Sequence, residues 1–292
     1  MSMKQVRPKK NLGQHFLTDL SIARAIADTV DACPDLPVLE VGPGMGVMTQ
    51  FLVGKPRELK VVEIDRESVA YLKNTLFRGY EGSIISGSEE RGAGSENTPA
   101  SPIIEGDFLR MDLNEVFEGR PFVLTGNYPY DISSQIFFKM LDNKELIPCC
   151  TGMIQREVAQ RMASEPGTKA YGILSVLIQA WYRVEYLFTV DEHVFNPPPK
   201  VKSAVIRMTR NDVTDLGCDE RLFRRVVKTV FGQRRKMLRV SLRQLFSNGQ
   251  PAASFYEQPM MTRRPEQLSI AEFIELTNKV AEQLSSAQTP GG

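Results

Sequence analysis

Histidine is scarce in this chain of 292 residues, and long apolar runs are missing from it. His15 and His193 are the only histidines, too few for a histidine-based proton relay to be the natural mechanism. No apolar run is long enough to span a bilayer, and residues 1–10 lack the apolar core of a signal peptide. We therefore expect a cytoplasmic protein without a membrane partner.

Cysteine is also sparse, and its spacing carries no metal or disulfide signature. The four cysteines form no C-x-x-C pair, which supports neither a zinc site nor a disulfide framework. Two of them are adjacent in an apolar run that predicts a buried strand. We expect no metal and four reduced, structural thiols, which are Cys33, Cys149, Cys150 and Cys218.

Acidic residues are absent from one long stretch, although the net charge of the whole chain is only +1. Residues 221–243 hold nine basic side chains and no acid, and residues 1–10 hold four more basic side chains. A basic surface on an otherwise acidic protein favours a polyanionic partner over a merely solvated helix face. The residues predicted to bind nucleic acid are Lys9, Lys10, Arg221, Arg224, Arg225, Lys228, Arg234, Arg235, Lys236 and Arg239.

Short apolar runs alternate with helical patterns over the first two thirds of the chain, which predicts βαβ units and a parallel sheet. A helix at 171–181 and edge strands at 184–190 and 203–208 follow, and the pattern from Asp219 onward is purely helical. The fold class is therefore α/β, with a Rossmann-like domain at 1–212 and a smaller all-helical domain at 213–292. Residues 81–102 read as a flexible insertion, and the tail from about 285 as disordered.

A glycine loop between a strand and a helix predicts a ligand site. Gly42, Gly44 and Gly46 are spaced G-x-G-x-G. A dinucleotide fingerprint has the spacing G-x-G-x-x-G, so its third glycine is missing here. S-adenosylmethionine (SAM) has no pyrophosphate and does not need that position. Glu63 ends the next strand, where a carboxylate can accept ribose hydroxyls, and Asp107 follows the third strand, where it can accept an adenine amine.

The tetrapeptide Asn127-Tyr128-Pro129-Tyr130 follows an apolar run and suits methylation of an exocyclic amine. The side-chain oxygen of Asn127 and a main-chain carbonyl beside Pro129 can accept both amine hydrogens and aim the nitrogen at the methyl group. Pro129 stiffens the turn, and Tyr130 offers a face on which a flipped base can stack. With the glycine loop, this pattern favours a SAM-dependent N-methyltransferase.

Six motifs, in order, resemble those of the ribosomal RNA adenine dimethyltransferases, above all the KsgA/RsmA family that acts on the small subunit. The resemblance spans about residues 9–284. The motifs are Asn11–Leu17, Glu40–Gly46, Val62–Asp65, Gly106–Asp107, Asn127–Tyr130 and Phe195–Val201.

The resemblance implies dimethylation at N6 of two adjacent adenosines near the 3′ end of 16S rRNA, within an assembling small ribosomal subunit. It also implies SAM as methyl donor and a monomeric enzyme. The residues it places against SAM are His15, Leu17, Gly42, Gly44, Glu63, Asp107 and Asn127. The residues it places at the target base are Asn127, Pro129, Tyr130 and Phe195.

Three positions depart from the commoner family pattern: His15 replaces an asparagine, Tyr128 replaces a leucine, and Asp131 stands where asparagine is frequent. Three alternatives stay open on sequence grounds. A DNA adenine methyltransferase usually carries two consecutive prolines in its tetrapeptide, whereas only Pro129 is present here. A resistance-type enzyme of the large subunit shares the chemistry, and a mainly non-enzymatic assembly factor can bind the same particle.

Overall fold

The described part of the chain comes from a computed structural model and comprises residues 15–79, 84–85, 102–246 and 249–286. The basic arm with Lys9 and Lys10, most of the predicted insertion and the last six residues lie outside the described residues. Among the helices that are described, none is both long and apolar enough to cross a bilayer.

The chain forms two compact units, one of 1–159 with 184–210 and the other of 160–183 with 211–292. The predicted domain boundary at 212 lies two residues from the division at 210. Residues 160–183 group with the second unit, whereas the sequence analysis placed them in the N-terminal domain.

An eight-stranded sheet forms the centre of the first unit. Its strands in chain order are β2 (Val38–Val41), β3 (Leu59–Glu63), β4 (Ile84–Ile85), β5 (Ile103–Glu105), β6 (Val123–Thr125), β7 (Cys149–Gln155), β8 (Tyr182–Val190) and β10 (Ser203–Arg210). The spatial order is β4-β5-β3-β2-β6-β7-β10-β8. The first six strands in this spatial order, from β4 to β7, are parallel to one another, and they include β2 and β3. Strand β10 runs antiparallel to β7. The predicted α/β sheet is therefore confirmed.

Burial explains why these strands read as apolar runs. All four residues of β2 are buried, and β2 lies between β3 and β6 with Val38 opposite Leu59 and Val123. Strands covered on both faces need near-continuous apolar sequence. The one exception in β2 is Glu40, a buried acid in an otherwise apolar strand.

Helices and one small strand pair complete the first unit. A two-stranded antiparallel sheet joins β1 (Phe16–Leu17) to β9 (Phe195–Asn196). Asp19 caps the first helix by accepting hydrogen bonds from the backbone amides of Ser21 and Ile22. The helices are α1 (Leu20–Asp28), α2 (Thr49–Leu52), α3 (Arg66–Asn74), α4 (Ser133–Asp142) and α5 (Arg156–Met162), the last of which runs into the second unit.

The second unit is built mainly of helices. Its buried aromatic rings include Phe273, which stacks on Phe231 with ring centroids 5.8 Å apart, and Tyr171, whose hydroxyl donates to the carbonyl of Leu268. Its helices are α6 (Ile173–Gln179), α7 (Glu220–Gly232), α8 (Leu238–Ser241), α9 (Ala253–Glu257) and α10 (Ile270–Ser286).

The prediction of four reduced thiols is wrong for two of them. Cys33 and Cys149 form a disulfide, and their Cα atoms lie 5.9 Å apart within the core shared by α1 and the sheet. They are 116 residues apart in the chain, so their spacing gave no sign of the pairing. Cys150 and Cys218 are free, and burial raises the pKa of the Cys150 thiol to about 12.

Candidate functional site

A cleft of about 270 Å³ opens at the carboxyl ends of β2, β3, β5 and β6. Open parallel sheets bind ligands at this edge. The cleft brings together nine predicted site residues, which are His15, Leu17, Gly42, Gly44, Glu63, Asp107, Asn127, Pro129 and Tyr130.

The glycine loop after β2 has a backbone conformation that favours glycine. Gly42, Gly44 and Gly46 have φ angles of 67°, 56° and 75°, in the left-handed region that favours glycine. A Cβ on Gly44 would lie 3.2 Å from Cε1 of Phe16. The loop therefore presents bare backbone to the cleft, which suits close approach of a ligand.

Glu63 ends β3 and points back at this loop. Its Oε2 accepts a hydrogen bond from the amide of Gly44 at 3.0 Å, and its Oε1 accepts one from the amide of Asp65 at 2.9 Å. Burial raises the pKa of the Glu63 carboxyl, and the two amides oppose that rise. The carboxylate is thus held in a fixed orientation at the floor of the cleft.

Glu40 is a second buried acid lining the cleft, and the sequence-based site list omitted it. Burial raises the pKa of its carboxyl to about 8, which the neighbouring Thr49 hydroxyl lowers and the Glu63 charge raises further. The hydroxyl lies close by, yet neither Oε2 of Glu40 nor Oγ1 of Thr49 has a partner that meets hydrogen-bond geometry. An unpaired buried oxygen is costly, so this position suits a ligand that brings a donor. An acid inside an apolar strand was the signal in the sequence.

Asp107 lies at the opposite wall of the cleft, two residues beyond β5. Its Oδ1 accepts a hydrogen bond from the amide of Leu109 at 2.9 Å, and Nε of Arg110 is 3.4 Å from its Oδ2. Ile64, which lines the same cleft, is 53% exposed. This wall therefore combines an acceptor with an apolar surface, as recognition of a purine ring requires.

Backbone hydrogen bonds hold the tetrapeptide 127–130 against β7. Asn127 forms an isolated parallel bridge with Met153, and the amide of Tyr128 donates to the Met153 carbonyl at 3.0 Å. The Tyr128 side chain is buried, and its hydroxyl donates to the Thr151 carbonyl at 2.9 Å. A Cβ built on Gly42 would lie 4.0 Å from Cγ and Cδ of Pro129. The tetrapeptide is thus a rigid wall of the cleft rather than a loose turn.

Tyr130 is half-buried at the mouth of the cleft, where it is held at two places. Its ring stacks on the His15 ring, with centroids 5.6 Å apart and planes 28° apart. Its hydroxyl forms a hydrogen bond with the Ser203 hydroxyl. Burial raises the pKa of Tyr130, so it stays a neutral phenol at physiological pH.

Phe195 does not join the residues that line the cleft. Its side chain is only 4% exposed, and its backbone pairs with Leu17 in the small β1–β9 sheet. It packs in the core together with Val190 and Val205. Phe195 is therefore absent from the lining of the cleft, although the family resemblance places it with Tyr130 at the target base.

The predicted RNA-binding residues of the described chain all belong to the second unit. Helix α7 buries its apolar face, with Phe223 and Val230 among the buried residues, and keeps its basic face outside. Arg234 is half-buried and donates to the Thr168 carbonyl at 3.1 Å, and Arg224 is half-buried as well. The exposed members are Arg221, Arg225, Lys228, Arg235, Lys236 and Arg239.

The residues of the cleft fit SAM as a ligand. The glycine loop has no side chains that would block the methionine chain of SAM. The unpaired oxygen of Glu40 can accept a hydrogen bond from the ammonium group of SAM. Glu63 and Asp107 supply acceptors at successive strand ends, and Ile64 supplies apolar surface. No group of side chains in the described residues has the composition of a metal site.

Comparison with known proteins identifies the family. The ribosomal RNA adenine dimethylase family matches residues 5–282. The chain is 62% identical over 289 residues to the ribosomal RNA small subunit methyltransferase A of Bacteroides thetaiotaomicron, which covers 99% of this chain and 100% of the relative.

Two solved structures share the fold. A dimethyladenosine transferase from Plasmodium falciparum has a TM-score of 0.70 at 22% identity, over 94% of this chain and 98% of its own. The 23S rRNA methyltransferase ErmE has a TM-score of 0.60 at 24% identity, over 91% and 99%. The chain is therefore a SAM-dependent rRNA adenine dimethyltransferase and belongs to the ribosomal RNA adenine dimethylase family.

Proposed function

We propose that this enzyme methylates the small ribosomal subunit, converting two adjacent adenosines near the 3′ end of 16S rRNA to N6,N6-dimethyladenosine during assembly. The observation that carries the proposal is the 62% identity, over essentially both full lengths, to a relative named for the small subunit. The basic second unit supports docking on RNA. We further propose that the enzyme acts as a monomer in the cytoplasm.

SAM supplies an electrophilic methyl group, so the protein must chiefly hold and orient the two reactants. We assign Glu63 to the ribose hydroxyls, Asp107 to the adenine amine of the cofactor, and Gly42 and Gly44 to close backbone approach. Leu17 and His15 close the cleft from the N-terminal side. The unpaired Glu40 oxygen would accept from the ligand's ammonium group.

Asn127 is proposed to hold the target amine. Its Nδ2 lies 3.5 Å from the carbonyl of His15, which leaves Oδ1 as the acceptor for one N6 hydrogen. A main-chain carbonyl beside Pro129 accepts the other. Both acceptors favour a pyramidal nitrogen whose lone pair points at the methyl carbon, and they stabilise the positive charge that develops on N6. Tyr130 supplies the stacking surface for the base.

Methyl transfer to isolated subunits tests the choice of particle. Labelled SAM and enzyme are incubated with small subunits from cells that lack these methyl groups, and in parallel with large subunits. We expect label in the small subunit alone. Label confined to large subunits would instead indicate a resistance-type enzyme, and particle binding without label would indicate an assembly factor.

A further inference from the structure

His15 makes its described contacts toward the acceptor side of the cleft. Its Nδ1 lies 2.8 Å from the carbonyl oxygen of Pro197, and its ring stacks on Tyr130. Its own carbonyl faces Nδ2 of Asn127. These contacts lead to the tetrapeptide that is proposed to hold the target base and to the loop that begins at β9.

The imidazole ring is fixed in one orientation. A carbonyl oxygen can only accept a hydrogen bond, so Nδ1 of His15 carries the proton and donates to Pro197. The backbone beside it is also anchored, because Phe16 pairs with Asn196 and the amide of Thr18 donates to the Val194 carbonyl at 2.8 Å. The hydrogen bond to Pro197 and the anchored backbone therefore hold the His15 ring against Tyr130.

Tyr130 in turn is held at both ends of its side chain. Ser203 binds its hydroxyl, and His15 covers one face of its ring. Ring centroids separated by 5.6 Å lie within the range of attractive aromatic contacts. With one face occupied and the hydroxyl fixed, the Tyr130 ring has little freedom to rotate away from a base that stacks on its other face.

We propose that His15, besides lining the cofactor cleft, is a positioning residue of the acceptor site, which orients the Tyr130 ring for the target adenine. The proposal rests on the proposed function, in which Tyr130 stacks on the base. The asparagine that is commoner at this position can still donate to the Pro197 carbonyl, but it has no ring to place on Tyr130.

Two substitutions in the full-length enzyme separate the ring from the hydrogen bond. His15→Asn keeps a donor and removes the ring, whereas His15→Phe keeps a ring and removes the donor. His193→Asn is the matched control, because it makes the same change at the other histidine, whose side chain is 85% exposed. Each variant is measured for SAM affinity by calorimetry and for single-turnover transfer to under-methylated small subunits at saturating SAM.

We expect His193→Asn to bind SAM within about twofold of wild type. At saturating SAM, His15→Asn should slow transfer about three- to tenfold, the loss that one stacking contact accounts for. His15→Phe should keep most of the wild-type rate, and His193→Asn all of it. Reduced SAM affinity with full transfer at saturating SAM would assign His15 to the cofactor and overturn the proposal. A full rate for His15→Asn, or equal losses for both His15 variants, would overturn it as well.

Failure of the proposed function looks different. Wild-type enzyme that leaves small subunits unlabelled refutes the choice of particle. The variants can then be compared on whichever RNA carries the label, where the same rate ratios decide the role of His15.

Discussion

Replacing Gly152 with alanine tests how the tetrapeptide is held, because this glycine lies directly beneath it. Gly152 is in the buried strand β7 and has a φ of 144°, a conformation that L-residues rarely adopt. A Cβ built there would be 2.7 Å from Cε2 of Tyr128 and 3.0 Å from the amide nitrogen of Gly126, and it would approach the Gly126 carbonyl oxygen more closely than real Cβ atoms do. Backbone neighbours of this kind cannot rotate away as a flexible side chain would.

Two effects lower the free energy of unfolding of Gly152→Ala. The unfavourable φ costs about 1–3 kcal/mol, and the overpacking against backbone and a buried ring costs about 1–3 kcal/mol more. We expect the free energy of unfolding to fall by about 2–6 kcal/mol in total. The Tyr128 ring must also shift, so any folded enzyme should lose methyl transfer more than SAM affinity.

Two control variants divide the effect into its parts. Gly119→Ala carries the backbone cost alone, because Gly119 has a φ of 74° with nothing within 4 Å of an added Cβ. Gly54→Ala carries neither cost, since its surroundings are also open and its φ is not positive. Urea unfolding followed by circular dichroism should rank the losses Gly152 above Gly119 above Gly54, with Gly54→Ala within about 0.5 kcal/mol of wild type. Equal losses for Gly152→Ala and Gly119→Ala would refute the close packing of Tyr128 on β7.

Three further predictions concern the cofactor, pH and RNA. Glu63→Ala should abolish SAM binding in calorimetry, whereas Asn127→Ala should bind SAM and fail in transfer; unchanged affinity in the first variant would remove the ribose assignment. Because the Glu40 carboxyl has its pKa raised to about 8, folded protein holds a proton that unfolded chain releases above about pH 4.5. Wild type should therefore lose stability relative to Glu40→Gln between pH 6 and 8, by at most about 1.4 kcal/mol per pH unit in urea unfolding, and parallel pH curves would contradict this. Reversing the charges of Arg235 and Lys236 should weaken particle binding and reduce its salt dependence while SAM affinity stays unchanged, so wild-type binding at every salt concentration would show that this face does not touch RNA.

Local sequence carried most of the information about the sheet and the cofactor side of the cleft. A buried parallel strand needs several apolar residues in succession, and a turn that passes through positive φ three times needs glycine at Gly42, Gly44 and Gly46. Both requirements are visible within a few residues of chain. The end of strand β5 is less visible in the sequence, because β5 ends at Glu105 although the apolar residues Phe108 and Leu109 follow shortly after it.

Contacts between distant segments were not predictable in the same way. The Cys33–Cys149 disulfide and the burial of Phe195 on Leu17 each depend on segments more than 100 residues apart. The stacking of His15 on Tyr130 is of the same kind. Periodicity and spacing describe one segment at a time, so they do not report which segments meet across the core.

Mapping the methyl groups on the RNA product tests the central claim most directly. Small subunits that lack these modifications are incubated with the enzyme and labelled SAM, and the 16S rRNA is then digested and analysed by mass spectrometry. The account predicts N6,N6-dimethyladenosine at two adjacent positions near the 3′ end of 16S rRNA and nowhere else in the particle. Label at any other site, or monomethylation that never proceeds further, would contradict it.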